Sequence, residues 1–107
     1  MIKLGESGKN AKKRIQCRIT GRVQMVMFRD FTCRKARKLR LTGTVQNERD
    51  GSVRVVAEGE EDQLQKLIGL LHRGSVLSRV DDVEVEWLPA TGEFLHFRIV
   101  FPGKEGK

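Results

Sequence analysis

The chain has 107 residues, with 21 Lys or Arg against 14 Asp or Glu, for a formal net charge of +7. That length holds one small domain, and 38% hydrophobic with 33% charged residues excludes a disordered polar chain. No apolar run approaches the ~20 residues needed to cross a bilayer, and no apolar stretch backs the Lys-rich residues 1–13, so a cytoplasmic protein without membrane contact is expected.

The charge is uneven. Residues 1–40 carry 13 basic and 2 acidic side chains, and residues 41–107 carry 8 basic and 12 acidic. A basic half suits an anionic partner: nucleic acid, an acidic surface or a phosphorylated small molecule. The two cysteines, Cys17 and Cys33, and the two histidines, His72 and His96, lie far apart in the sequence. They form neither a disulfide framework nor a zinc pattern, so no metal is expected.

Residues 1–12 read as a mobile tail, residues 13–102 as the folded domain and 103–107 as a second tail. The run GESGKN at 5–10 lacks the glycine spacing, the Ser/Thr and the preceding strand of a nucleotide-binding loop. From Arg14, the apolar Ile15, Cys17 and Ile19 alternate with polar residues, which predicts a strand ending at Gly21. A helix is predicted from about Phe28 to Arg40. Phe28, Thr32, Ala36 and Leu39 share one face, and Arg34, Lys35, Arg37, Lys38 and Arg40 cover the rest.

Thr42–Asn47 and Ser52–Glu58 read as a hairpin turning at 48–51. A second helix is predicted from about Glu60 to His72. Leu64, Leu67, Ile68 and Leu71 form its inner face, acidic residues its first turn, and Gly74 its cap. Val83–Trp87 and Leu95–Phe101 alternate as two further strands. The order contains the split βαβ pattern of ferredoxin-like folds: an α+β sandwich with two helices on one face of an antiparallel sheet.

That fold class includes RNA-recognition domains, which stack bases on aromatics of the open sheet face. Here the open face would hold Gln16, Arg18, Arg54, Val56, Glu58, Asp82, Glu84, Glu86, His96 and Arg98, with no aromatic. Opposite charges should instead pair across its strands. Base stacking is therefore disfavoured, and nucleic acid would be left only the basic first helix and its phosphate contacts.

The loop from Gly21 to Arg29 lies between the first strand and the first helix. Its backbone N–H groups, with the helix N-terminus behind them, can converge as an anion cradle. Arg29 could add a guanidinium fork matched to phosphate oxygens. Taken alone, Arg29 also reads as a surface helix residue and Asn47 as a turn former. Cys17, Trp87 and the phenylalanines read as packing. His72 reads as a cation at a helix C-terminus and His96 as a surface residue.

Gly-Arg-Val-Gln-x-Val-x-Phe-Arg at 21–29 resembles the signature of the acylphosphatase family. So does Leu-Thr-Gly-x-Val-x-Asn at 41–47, with its Asp-Gly-x-Val turn at 50–53. The likeness covers roughly residues 14–101. It implies hydrolysis of acyl phosphates to a carboxylate and inorganic phosphate without metal or organic cofactor. It also implies that Arg29, with backbone N–H groups from Gln24, Met25, Val26, Met27 and Phe28, holds the phosphoryl group, and that Asn47 orients the attacking water. Charged edge strands suit a monomer.

Two positions depart from the family pattern. Met25 stands where the family usually has Gly, which permits positive φ and close approach to an anion. Either Met25 takes the left-handed conformation at roughly 1–2 kcal/mol, or the loop shifts and loses a donor, or its φ is negative and only bulk changes. A damaged cradle would make Met25→Gly raise kcat/KM, and would leave an anion-binding module with weakened catalysis as the second reading. Thr44 replaces a common Trp, which should cost packing rather than chemistry.

Overall fold

The alternation that begins near Arg14 becomes β1 (Lys12–Arg22), with Ile15, Cys17 and Ile19 buried. The computed structural model describes residues 11–25 and 27–101. Residues 1–10 and 103–107 of the expected tails, and Val26 of the expected cradle, lie outside the described residues. The other elements are α1 (Phe28–Lys38), β2 (Thr42–Asn47), β3 (Val53–Glu60), α2 (Glu61–Arg73), β4 (Arg79–Pro89) and β5 (Phe97–Ile99).

The sheet order is β4-β1-β3-β2-β5. The first four strands form antiparallel pairs, which is the ferredoxin-like order, and β5 adds to β2 in parallel. The sheet is therefore mixed rather than wholly antiparallel. Both helices pack on one face, and Phe28, Ala36, Leu64, Leu67 and Leu71 close the core over Ile15, Ile19, Val45, Val53, Val55 and Phe97.

Two motif glycines are required by close packing. β1 does not end at Gly21 but bulges there against β4. Gly21 has φ +123°, and a Cβ on it would collide with the Arg79 carbonyl. Gly43 has φ +146°, and a Cβ there would collide with the Val56 carbonyl on β3.

The expected fifth strand is shortened. β4 and β5 sit on opposite edges, so the chain from 90 to 96 must cross the sheet. Glu58 of the central β3 holds this crossing. Its carboxylate accepts from the N–H groups of Thr91 (2.9 Å) and Gly92 (3.0 Å) and pairs with Arg14 at 3.1 Å. Leu95, expected in the strand, is thus exposed, and pairing starts at Phe97.

No described strand residue puts an aromatic ring on the open face, though Phe94 from the crossing lies 5.4 Å from the Arg14 guanidinium. The expected lacing by cross-strand charges is realised at Arg14–Glu58. It fails at Arg18, which stands between Arg54 and Glu84 in register and pairs instead with Asp50 of the turn at 2.7 Å. The turn carboxylate reaches Arg18 more closely and is itself fixed by Ser52.

Candidate active site

The strand-to-helix loop is held in an unusual backbone conformation. Met25 has φ +60° and Met27 φ +62°, both left-handed values that L side chains enter at a cost. The choice left open at Met25 is thereby decided: the Met adopts the conformation that a Gly would take freely, and the negative-φ alternative is excluded. A left-handed residue next to a right-handed one turns successive N–H groups toward one side, as in anion-binding nests.

Met27 is also the N-cap of α1 and offers no side-chain cap. The first turn of α1 thus ends without a side-chain acceptor, which suits an anion. Its acidic residue, Asp30, is engaged by Arg34 at 2.9 Å.

Gln24 is expected to offer its backbone N–H to the phosphoryl group, and its side chain has a task of its own. Its amide Nε2 donates to the carbonyls of Glu48 (2.9 Å) and Ser52 (2.8 Å). These two carbonyls belong to the β2–β3 turn, so Gln24 fastens the cradle to the hairpin that carries Asn47.

Arg29 lies in the first turn of α1. Among the described residues it has no carboxylate partner, and its guanidinium sits 5.3 Å from the Phe101 ring. Beside it opens a pocket of about 400 Å³ lined by Val23, Met25, Met27, Phe28, Arg29, Asp30, Ile99 and Phe101. Phe28 is a wall of this pocket and also one of the most buried core residues. Its ring anchors the helix, and only its backbone N–H is suited to an anion.

Asn47 does not line that pocket, but it ends β2 at the same corner. Val45 pairs with Ile99 in the parallel ladder, and Val45 faces the core. By strand alternation Asn47 shares the helix-covered side with Val45. The turn's hydrogen bonds come from Glu48, Asp50, Gly51 and Ser52, whereas the buried Asn47 Oδ1 has no partner among the described residues. A turn-forming role thus leaves this oxygen unexplained, and a buried acceptor calls for a donor such as water.

Phe101 and Ile99 are walls of the candidate site that the sequence, in which the phenylalanines read as packing, does not single out. The alternation Phe97, Ile99, Phe101 already placed all three on one face. Thr44 stands on the open face opposite Val56 and Arg98, away from the pocket. His72 and His96 are exposed and are not among the pocket's lining residues. Burial pushes the Cys17 thiol up to about 12 and also raises Cys33. Both thiols stay protonated at neutral pH and are poor nucleophiles. The described residues contain no cluster of His, Cys, Asp or Glu that could hold a metal ion. No described helix is long and apolar enough to cross a membrane.

Together, the sheet order and the two helices on one face define a ferredoxin-like α+β domain, with a candidate anion-binding loop at the mouth of α1. The acylphosphatase family model matches residues 15–99. An acylphosphatase of Salinibacter ruber is 52% identical over 88 residues, covering 82% of this chain and 93% of that protein. The crystal structure of acylphosphatase from Bacillus subtilis aligns with a TM-score of 0.80 at 36% identity, covering 82% of this chain and 98% of that one. An acylphosphatase from Coxiella burnetii gives 0.80 at 35% identity, with 86% and 95% covered. The chain belongs to the acylphosphatase family, whose members are hydrolases.

Proposed function

We propose that this protein hydrolyses the carboxyl-phosphate bond of small acyl phosphates at the corner formed by the 23–29 loop, the end of β2 and the end of β5. The observation that carries the reading is the Arg29 guanidinium, which has no carboxylate partner among the described residues, beside a loop with two left-handed residues. Arg29 and the loop N–H groups hold the phosphoryl oxygens. Asn47, at the end of β2, orients the attacking water.

The water oxygen forms a bond to phosphorus as the bond from phosphorus to the bridging oxygen breaks. The departing electron pair remains on the carboxylate, and the water's proton passes to a phosphoryl oxygen. Phosphoryl transfer through a loose transition state depends chiefly on positioning and charge stabilisation. Asn47 is neutral and cannot act as a strong base, and a carboxylate leaving group makes one unnecessary. Inorganic phosphate is the second product.

The same reading takes the protein as cytoplasmic and monomeric. Its described cysteines are free, which suits a reducing compartment. Its exposed edge strand β4 carries Asp81, Asp82, Glu84 and Glu86, which repel a second copy of the same edge.

The test is hydrolysis of acetyl phosphate by the wild type, Arg29→Ala and Asn47→Ala. Losses of about 100-fold or more in both folded variants are expected. Wild-type rates in both variants, or a folded wild type without activity, would leave only an anion-binding module. Nucleic-acid binding predicts instead a steeply salt-dependent affinity that is indifferent to Asn47→Ala.

A further inference from the structure

Arg29 is surrounded by apolar side chains that the fold leaves in solvent. Met25 is 92% exposed, Met27 68% and Phe101 52%, yet all three line the same pocket with Val23 and Ile99. Exposed apolar groups of this size in one place mark a binding surface. Arg29 is the single cation among the lining residues, and Asp30 the single anion, held by Arg34.

From this arrangement, and resting on the function proposed above, we infer that the enzyme selects acyl phosphates whose acyl group is apolar and several carbons long, with Met25 and Met27 as the selecting residues. The phosphoryl end meets Arg29 and the loop N–H groups, and the acyl chain leaves the cradle between Met25, Met27 and Phe101. Met25 supplies wall that the glycine usual at this position lacks altogether. Unbranched thioether chains adapt to acyl groups of different shape. A carboxylate at the far end of the acyl group would lose water against these walls without gaining a cation.

Acetyl, hexanoyl and adipoyl monophosphates separate the effects, because their leaving carboxylates are chemically alike. Each methylene fully buried is worth roughly a factor of four, so partial contact predicts a kcat/KM for hexanoyl about tenfold above acetyl. The gain should lie mainly in KM. Adipoyl monophosphate, of equal length but with a terminal carboxylate, should fall well below hexanoyl. Met25→Gln and Met27→Gln keep chain length and backbone conformation and should each bring the hexanoyl-to-acetyl ratio toward one. The exposure of both residues makes folding of the variants safe.

A ratio near one in an enzyme that hydrolyses acetyl phosphate overturns the inference, as does equal use of hexanoyl and adipoyl. A ratio that changes with protein concentration assigns the patch to contact between two copies and also overturns it. If none of the three is hydrolysed by folded protein, the proposed function itself fails, and the inference with it.

Discussion

Gln24 and Glu48 are joined by a 2.9 Å hydrogen bond from the Gln24 amide to the Glu48 carbonyl, and the same nitrogen reaches Ser52 at 2.8 Å. Glu48 follows directly on Asn47, so this contact sets the distance between the two halves of the site. The cradle and the water-positioning residue are 18 or more residues apart in the chain, and a side chain from one half clamps the backbone of the other.

Replacing Gln24 by Leu should therefore damage both stability and catalysis. Both carbonyls keep one backbone donor, Glu48 N–H for Ser52 and Gly51 N–H for Glu48, so the loss is that of two part-buried hydrogen bonds, about 1–3 kcal/mol. Urea unfolding should show a loss in that range. In the fraction that remains folded, kcat for acetyl phosphate should fall by roughly tenfold or more, because misplacement of about 1 Å is costly in a positioned reaction. A stability loss with unchanged kcat would show that the clamp is purely structural.

Met25→Gly tests the left-handed backbone at Met25. Because the φ of +60° is already adopted, the glycine relieves strain without needing to move the loop. The expected result is a gain of about 1 kcal/mol in unfolding free energy. The higher kcat/KM expected from a displaced cradle loses its structural ground, since the loop keeps the conformation that the glycine would take. A large rise in kcat/KM for acetyl phosphate would show that the Met side chain obstructs the site.

Arg40 offers a second strained residue, remote from the site. The end of α1 closes as a Schellman turn, with Leu41 N–H donating to Ala36 and Arg40 N–H to Arg37. Arg40 occupies the left-handed position at φ +61°, where Gly is usual. Arg40→Gly should stabilise by about 1 kcal/mol, raising Tm by roughly 4–8 °C for a domain of this size. Calorimetry decides, with kcat as a control that should not change.

Acid should loosen the crossing between β4 and β5. Burial alone would raise the Glu58 pKa, but the N–H groups of Thr91 and Gly92, the Thr91 hydroxyl and Arg14 together hold it below its ordinary 4.5. Its stabilisation is therefore fully present above about pH 4.5 and is lost as the pH falls through the lower folded value. Glu58→Ala should cost about 1–3 kcal/mol at neutral pH, because the Thr91 and Gly92 N–H groups lose their charged acceptor and Arg14 keeps only the longer ion pair with Glu93 at 3.4 Å. The stability of this variant should also depend less on pH below 4.5 than the wild type's. Parallel acid limbs for the two proteins would contradict this.

Catalysis, in contrast, should be indifferent to the loss of either histidine. Neither His72 nor His96 borders the pocket, so His72→Gln and His96→Gln should keep the wild-type kcat for acetyl phosphate. A loss of about tenfold or more in either folded variant would place a histidine in the reaction.

Much of this was legible in the chain, for a local reason. Alternation of Ile15, Cys17 and Ile19, the helical spacing of Leu64, Leu67 and Leu71, and the glycine at the hairpin turn act over a few residues, so element types and the α+β class follow from the sequence. The motif at 21–29 likewise carried Arg29, and the motif at 41–47 carried Asn47. Other features depend on groups far apart in the chain. Only the packed sheet decided that Gly21 is a bulge and that β5 joins in parallel. The need to cross from one edge to the other cost Leu95 its strand. Only packing brought the Gln24 amide to the hairpin carbonyls and Phe101 to Arg29. The left-handed φ at Met25 was also decided there: composition shows a residue that resists this conformation, and the surrounding loop imposes it.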